Sequence, residues 1–218
     1  MNLSYRFRDP ELLQLALTHR SANTPNNERL EFLGDAVLGA TITEYLYINF
    51  PQADEGQLTR TRASLVNKKF LASIARDLEV GAQISLGEGE LKSGGWQRDS
   101  ILSNTVEAII GAMYLDGGYE ACRTEVLAWY ADALKEIDPA KSIKDPKTQL
   151  QELLQGESLS LPRYQTLKIE GPAHNQLFTV SCEVELLDKP VIETGNSRRK
   201  AEQKAASAAL DRLGASDA

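Results

Sequence analysis

The sequence predicts a chain of two domains: an all-α domain followed by an α+β domain with the element order α-β-β-β-α. The first observation is apolar spacing typical of helices, which runs from residue 10 to about residue 138. The second is a strand-like alternation at residues 176–186, and the third is a charged stretch with two prolines between these patterns. A chain of 218 residues has room for one large domain and a small module.

The helices of the first domain are predicted from apolar residues that recur three and four positions apart. Pro51 interrupts this pattern, and the Gly-rich residues 87–99 are predicted to form a loop. Helices are expected within residues 12–17, 30–47, 58–74, 101–113 and 119–137.

The second domain is centred on a predicted half-buried antiparallel strand. Its period of two places one apolar set on the buried face: Phe178, Val180, Cys182, Val184 and Leu186. Neighbouring strands are expected at residues 164–169 and 190–194, and flanking helices at residues 147–155 and 198–213. The expected boundaries are residues 1–138 for the first domain, 139–144 for a linker, 145–214 for the second domain and 215–218 for a tail.

Composition excludes some classes of protein and leaves one conflict. Hydrophobic residues make up 42% and charged residues 25%, which excludes a disordered or collagen-like chain. No apolar run approaches the roughly 18 residues of a membrane span, and no signal peptide is recognisable, so we expect a cytoplasmic protein with no membrane partner. Cys122 and Cys182 are expected to be buried thiols. The net charge of −7 argues against a nucleic-acid partner unless basic residues are concentrated locally.

Three acids share one stripe of the helix predicted around residues 27–38. Glu28, Glu31 and Asp35 fall within about 60° of arc when drawn at 100° per residue. Like charges at these spacings destabilise a helix slightly, a cost that a bound cation would remove. The alternative is a solvent-exposed acidic face.

A second polar pair lies in the otherwise apolar helix predicted at residues 101–113. Asn104 and Glu107 are three positions apart, and polar side chains in such a setting need a partner. Oxygen donors from two helices suit Mg²⁺, with Mn²⁺ as a plausible substitute. A di-iron site is excluded because it needs Glu-x-x-His pairs, and His19 and His174 lie in neither segment.

These segments resemble the bacterial ribonuclease III family. The likeness begins with NERLEFLGDAVL at residues 27–38 and extends to LTHRS at 17–21, DEG at 54–56, LKSGG at 91–95 and residues 100–116. The resemblance implies a helical endonuclease domain that forms a homodimer and cuts double-stranded RNA by Mg²⁺-dependent hydrolysis. The products would carry 5′-phosphate and 3′-hydroxyl ends, and ribosomal, messenger and transfer RNA precursors would be the substrates.

The resemblance also implies roles for individual residues. The metal ligands would be Glu31, Asp35, Asn104 and Glu107, with Asp35 and Glu107 as the catalytic pair; Glu28 and Glu55 would be supporting acids near the scissile phosphate. At position 104 the family most often has aspartate, and the amide of Asn104 offers an oxygen without a formal charge. Weaker metal binding or slower turnover is expected. The alternative is a protein that binds double-stranded RNA with weak or no cleavage.

The second domain contains a local cluster of basic residues that could bind RNA despite the negative net charge of the chain. Three cations, Arg198, Arg199 and Lys200, lie at the N-terminal end of a predicted helix, where a bound phosphate would stabilise them. The element order, with GPAHNQLF at residues 171–178 and SRRKAE at 197–202, resembles the double-stranded-RNA-binding domain. The RNA contacts implied are Thr148, Gln151, Glu152 and Gln155 in the first helix, Pro172 and His174 in a loop, and Arg198, Arg199 and Lys200 on phosphates.

Overall fold

The computed structural model describes residues 1–141, 144–173 and 175–214. The chain divides into two compact units, Met1–Ser142 and Ile143–Ala218, each with its own hydrophobic core. The predicted RNA contact at His174, the linker positions 142 and 143 and the tail at residues 215–218 lie outside the described residues. The predicted fold class is confirmed: a helical domain precedes a small domain with a three-stranded sheet.

The first unit is helical, as predicted. Its helices are α1 (Pro10–Ala16), α2 (Glu28–Asn49), α3 (Glu55–Leu65), α4 (Lys68–Asp77), α5 (Glu88–Lys92), α6 (Asp99–Trp129) and α7 (Ala131–Glu136). The core forms mainly where α2 and α4 pack against α6. Among the described residues, no helix is long and apolar enough to cross a membrane.

Side-chain caps explain where several helices begin. Asp54 and Gln57 form a reciprocal capping box at the start of α3. Asn67 accepts a hydrogen bond from the backbone of Phe70 and starts α4. The helical stretch predicted at residues 58–74 is divided into two helices, because Asn67 lies in the extended region of the backbone and caps the second.

The predicted loop at residues 87–99 is also partly wrong. It contains the short helix α5 and a 3₁₀ turn at Gly95–Gln97. Glu88 and Lys92, four positions apart, form an ion pair along α5. Later in the chain, α6 is kinked at Gly118, whose φ of 79° lies in the left-handed region that favours glycine.

The second unit has the predicted order. It consists of α8 (Pro146–Gly156), β1 (Arg163–Glu170), β2 (Leu177–Glu183), β3 (Val191–Gly195) and α9 (Arg198–Arg212). The antiparallel sheet has the order β1-β2-β3, and its core forms against α8 and α9.

The predicted buried face of β2 is largely confirmed. Val180, Cys182 and Val184 are buried and Phe178 is half-buried. Leu186 is 50% exposed, so its predicted burial is wrong. The strand ends at Glu183, and a turn closed by a hydrogen bond from the backbone N–H of Leu187 to the carbonyl of Val184 carries the chain away from the sheet.

Candidate active site

Helices α2 and α6 cross at two glycines without room for side chains between their backbones. A Cβ atom added to Gly34 would lie 1.7 Å from the carbonyl oxygen of Glu107. A Cβ atom added to Gly111 would lie 2.3 Å from the carbonyl oxygen of Leu30. This crossing brings the acids of α2, which flank Gly34, next to the polar residues of α6.

Burial along α6 singles out the two polar positions noted in the sequence. From Ile101 to Met113 every residue is buried except Asn104 and Glu107, which are half-buried. The only accessible positions in this stretch are therefore an amide and a carboxylate three residues apart, on the side of α6 that lines a cavity.

One cavity of about 730 Å³ unites most of the predicted site. Glu28, Glu31 and Asp35 from α2 line it together with Asn104 and Glu107 from α6. The remaining lining residues are His19, Arg20, Asn27, Phe32, Glu90, Arg98, Ser100 and Ile101. The carboxylate stripe of α2 thus faces this cavity, which it shares with oxygen donors from a second helix.

Two carboxyl groups in the cavity have raised pKa values, because they are partly buried and lie close to other carboxyl groups. Burial, reinforced by the charges of Asp35 and Glu31, raises the pKa of Glu107 to about 7, against a smaller opposing effect of Lys68. Burial also raises the pKa of Glu31; the amide of Asn104 opposes this, whereas the charges of Glu28 and Asp35 add to it. These carboxylates repel one another, and a cation among them would relieve that repulsion.

The rim of the cavity carries cations that the sequence did not single out. Arg20 pairs with Glu28 at 3.4 Å, and Arg98 pairs with Glu90 at 2.8 Å. His19, beside Arg20, shares a hydrogen bond of 2.8 Å with the hydroxyl of Ser21. The LTHRS segment lay within the resemblance, but no periodicity in it indicates that it folds against α2.

Glu55 is not brought into this cavity. It begins α3, and its carboxylate accepts a hydrogen bond from the hydroxyl of Thr59 at 2.8 Å. Together with Tyr47 and Arg62 it lines a separate cavity of about 470 Å³.

The donors fit a hard divalent cation by their chemistry. Among the residues that the structure describes, no three histidine, cysteine, aspartate or glutamate side chains are arranged to enclose one ion. Mg²⁺ usually takes only one or two carboxylates and keeps several waters or phosphate oxygens. Three of the carboxylates that line the cavity, those of Glu31, Asp35 and Glu107, and the amide oxygen of Asn104 suit that mode of binding.

The predicted RNA-contact residues that the structure describes lie on two helices and one loop of the second unit. Ser197 caps α9 by accepting from the backbone of Lys200, and Arg198, Arg199 and Lys200 are all exposed. On α8, Gln151, Glu152 and Gln155 are exposed and Thr148 is half-buried, while Pro172 is exposed in the β1–β2 loop. Thr148, Gln151 and Arg199 line one groove of about 410 Å³, which α8 and α9 share with the start of β1.

Two of these residues already have partners within the domain. The hydroxyl of Thr148 donates to Asp145 at 2.7 Å, and Glu152 forms an ion pair with Lys144. Binding a ribose hydroxyl at either position would have to compete with, or add to, these contacts.

Comparisons with known proteins identify both domains. A family model described as "Ribonuclease-III-like" matches residues 9–134, and one described as "Double-stranded RNA binding motif" matches residues 146–213. "Ribonuclease 3" of Photobacterium profundum is 57% identical over 211 residues, which cover 97% of this chain and 94% of that protein.

Two solved structures of the nuclease domain of ribonuclease III from Campylobacter jejuni are also similar, each with 46% sequence identity. One has a TM-score of 0.59 and covers 62% of this chain and 92% of its own. The other, with a TM-score of 0.58, covers 59% of this chain and 91% of its own, and it is described as showing structural flexibility in a region involved in dimer formation.

A helical nuclease domain joined to a double-stranded-RNA-binding domain defines a double-stranded-RNA endonuclease. The chain belongs to the ribonuclease III family. Members of this family depend on a divalent metal ion. None of the comparisons favours the alternative of a binding protein without cleavage.

Proposed function

We propose that the chain uses Mg²⁺ to hydrolyse phosphodiester bonds of duplex RNA, with Glu31, Asp35, Asn104 and Glu107 as the residues that hold the ion. The supporting observation is the single cavity onto which α2 and α6 bring all four oxygen donors. Mn²⁺ would substitute, since it accepts the same donors. The products would carry 5′-phosphate and 3′-hydroxyl ends, and the substrates would be structured RNA precursors in the cytoplasm.

The carboxylates of the cavity would have different roles, according to where each one lies. When bound, the ion would polarise a water for attack and offset charge on the scissile phosphate. Asp35, exposed at the cavity, and Glu107, half-buried beside it, would orient that water through their carboxylates. Glu28 would act as a supporting acid at the rim. For Glu55 to approach the scissile phosphate, the bound RNA or a second subunit would have to bring it there.

A homodimer would form through the helical domain. Phe32 is 83% exposed, Tyr47 74% and Ile48 60%, all on α2, so this helix presents large apolar side chains to solvent. The similar Campylobacter jejuni domain has a region involved in dimer formation. Phe32 also lines the cavity, so a partner that covers it would lie beside the site.

The metal site is tested through its unusual ligand. Cleavage of a labelled RNA duplex should require Mg²⁺ and stop when EDTA is added. Asn104→Asp should lower the Mg²⁺ concentration that gives half the maximal rate, because a carboxylate attracts the ion more strongly than an amide does. Asp99→Asn, which removes a charge from the start of the same helix outside the cavity, is the control and should leave the Mg²⁺ dependence unchanged. An unchanged Mg²⁺ dependence in Asn104→Asp would remove residue 104 from the ligand set.

Duplex RNA would bind mainly through the second domain. Gln151 and Gln155 would meet ribose hydroxyls in one minor groove and Pro172 the next, while the three cations of α9 hold phosphates. This division suits the chemistry, because amide groups match hydroxyls and cations match phosphate. It also explains how a chain with a net charge of −7 can bind RNA.

The phosphate contacts are tested by salt. The triple variant with alanine at Arg198, Arg199 and Lys200 should weaken binding to all RNA duplexes and flatten the dependence of log affinity on log salt by roughly two to three, taking about 0.9 per phosphate from duplex DNA. Gln151→Ala should weaken binding with little change of slope, because its partner carries no charge. Fluorescence anisotropy over a series of salt concentrations measures both. An unchanged slope in the triple variant would falsify the phosphate contacts.

A further inference from the structure

A buried carboxylate in the second domain joins its two RNA-contact helices. The side chain of Glu202, in the second turn of α9, is only 11% exposed. One oxygen accepts from the ammonium of Lys147 on α8 at 2.7 Å, and the other accepts from Nε of Arg198 on α9 at 2.8 Å. Burial would raise the pKa of Glu202, but these hydrogen bonds and charges outweigh it and lower the pKa, so the carboxylate is ionised at neutral pH.

The start of α8 is fixed by further contacts around this carboxylate. The ammonium of Lys147 lies 4.4 Å from the centroid of the Tyr164 ring. The backbone N–H of Lys147 donates to the side-chain oxygen of Gln203 at 3.2 Å. The amide nitrogen of Gln203 in turn donates to Asp145, the N-cap of α8, at 2.7 Å. Neighbouring residues of α9 therefore hold both the cap and the first turn of α8.

The contact with Arg198 leaves much of that side chain for RNA. A guanidinium has five N–H donors, and the bond to Glu202 uses the one on Nε. The Arg198 side chain is 65% exposed, so its terminal nitrogens are accessible to a phosphate. Holding Nε limits the rotamers of a flexible side chain before RNA arrives, which reduces the entropy lost on binding.

The spacing of α8 and α9 matters because both helices contribute residues to one groove. Thr148 and Gln151 on α8 and Arg199 on α9 line the same groove. A residue that fixes the junction of α8 and α9 therefore also fixes a distance within the RNA-binding surface. This is the distance between the α8 side chains proposed to bind ribose hydroxyls and the α9 side chains proposed to bind phosphates. A duplex has a fixed distance between its minor-groove hydroxyls and its phosphates.

We propose that Glu202 is a positioning residue for duplex RNA: by binding Lys147 and Arg198 together, it sets the spacing of the two contact helices and orients Arg198 toward a phosphate. The inference rests on the RNA contacts proposed above. A negatively charged residue would thus favour the binding of RNA, which is itself negatively charged. Charge alone predicts the opposite.

The positioning role and charge alone predict opposite effects of changing Glu202, so the two can be told apart by experiment. Glu202→Gln removes one negative charge from the domain, so charge alone predicts tighter binding and a steeper salt dependence. The positioning role predicts binding weakened about tenfold, the scale of one oriented hydrogen bond to a charged group. Asp211→Asn, which removes the same charge from an exposed position on the same helix, is the matched control and should bind as tightly as the parent or slightly more tightly.

A second variant avoids the buried position in case Glu202→Gln lowers the stability of the domain. Arg198→Lys keeps the charge at an exposed side chain, but a single ammonium cannot replace the guanidinium that binds Glu202 through Nε and a phosphate through its terminal nitrogens. It should weaken duplex binding several-fold more than Arg199→Lys, because Arg199 has no such ion pair among the described residues. Circular dichroism melting is used to check that each variant is folded at the assay temperature.

The outcomes separate the two proposals. If the triple alanine variant flattens the salt slope but folded Glu202→Gln binds as tightly as the parent, the RNA contacts stand and the positioning role is overturned. Equal effects of Arg198→Lys and Arg199→Lys would also overturn it. If the triple variant leaves the slope unchanged, the RNA contacts fail and the positioning role fails with them. Weaker binding by Glu202→Gln, with no steeper slope and with Asp211→Asn unaffected, supports it.

Discussion

Glu107→Gln is expected to lower the rate of duplex RNA cleavage by about a hundredfold or more, because a bound metal ion supplies several kcal/mol of stabilisation to the reacting phosphate. The amide has nearly the same shape as the carboxylate but no charge to hold the ion. Asp35→Asn should behave in the same way. Duplex binding should remain close to that of the parent, since we propose that affinity comes mainly from the second domain.

The physical setting of Glu107 sharpens this expectation. Burial and two neighbouring acids raise its pKa to about 7, so its charge is unfavourable to the fold in the absence of a cation. Glu107→Gln should therefore unfold at the same temperature as the parent or a higher one when measured in EDTA. A loss of cleavage together with a gain of stability would mark a residue kept for its chemistry.

The control for this variant lies on the same helix. Asp99 begins α6 outside the cavity, where it pairs with Arg76. Asp99→Asn should cleave at nearly the parental rate. Cleavage is measured with excess duplex, and binding is measured in EDTA so that no turnover interferes. Parallel loss of binding and cleavage by Glu107→Gln would contradict the division of labour between the domains.

Parts of the candidate site could be predicted because they are local. Glu28, Glu31 and Asp35 share a helix stripe by spacing alone, and Asn104 and Glu107 share another. All five line the cavity, because a helix fixes the relative directions of side chains three and four positions apart. Their role as metal ligands stays a prediction.

Other parts depend on contacts between distant residues and leave no periodic signal. Arg20 and Arg98 reach the rim of the cavity only because their segments fold beside α2 and α6. Lys147 and Glu202 are separated by 55 positions, and only the packing of α8 on α9 brings them together. The end of β2 before Leu186 was missed for a related reason: alternation continues in the sequence after the hydrogen-bonded pairing has stopped.

The role of the glycine at position 34 is visible only in the structure, where α2 and α6 cross closely. Glu31 and Asp35 lie within a turn of Gly34 on α2, and the backbone of Glu107 lies directly opposite it on α6. A close approach of the two helices therefore lies beside the candidate site. We expect the absence of a side chain at this position to set the distance between the two sets of oxygen donors.

Gly34→Ala is accordingly expected to abolish most cleavage while leaving duplex binding nearly intact. The new Cβ atom would fall 1.7 Å from a backbone oxygen, which cannot rotate away as a side chain can, so α2 and α6 must move apart. Overpacking of this kind costs about 1–3 kcal/mol of stability. The separation of the helices would also place the carboxylates of α2 too far from Asn104 and Glu107 to share an ion.

The same helix offers a matched control in Gly39. A Cβ atom added there has no atom within 4 Å, so Gly39→Ala should cleave normally and gain up to about 1 kcal/mol from the helix propensity of alanine. Both variants are assayed for cleavage across a Mg²⁺ titration, at a temperature where circular dichroism shows each to be fully folded. Folded Gly34→Ala should cleave slowly even at saturating Mg²⁺, because added ion cannot restore the ligand geometry. If it cleaves as fast as Gly39→Ala, the close crossing of α2 and α6 serves packing alone and does not set the geometry of the site.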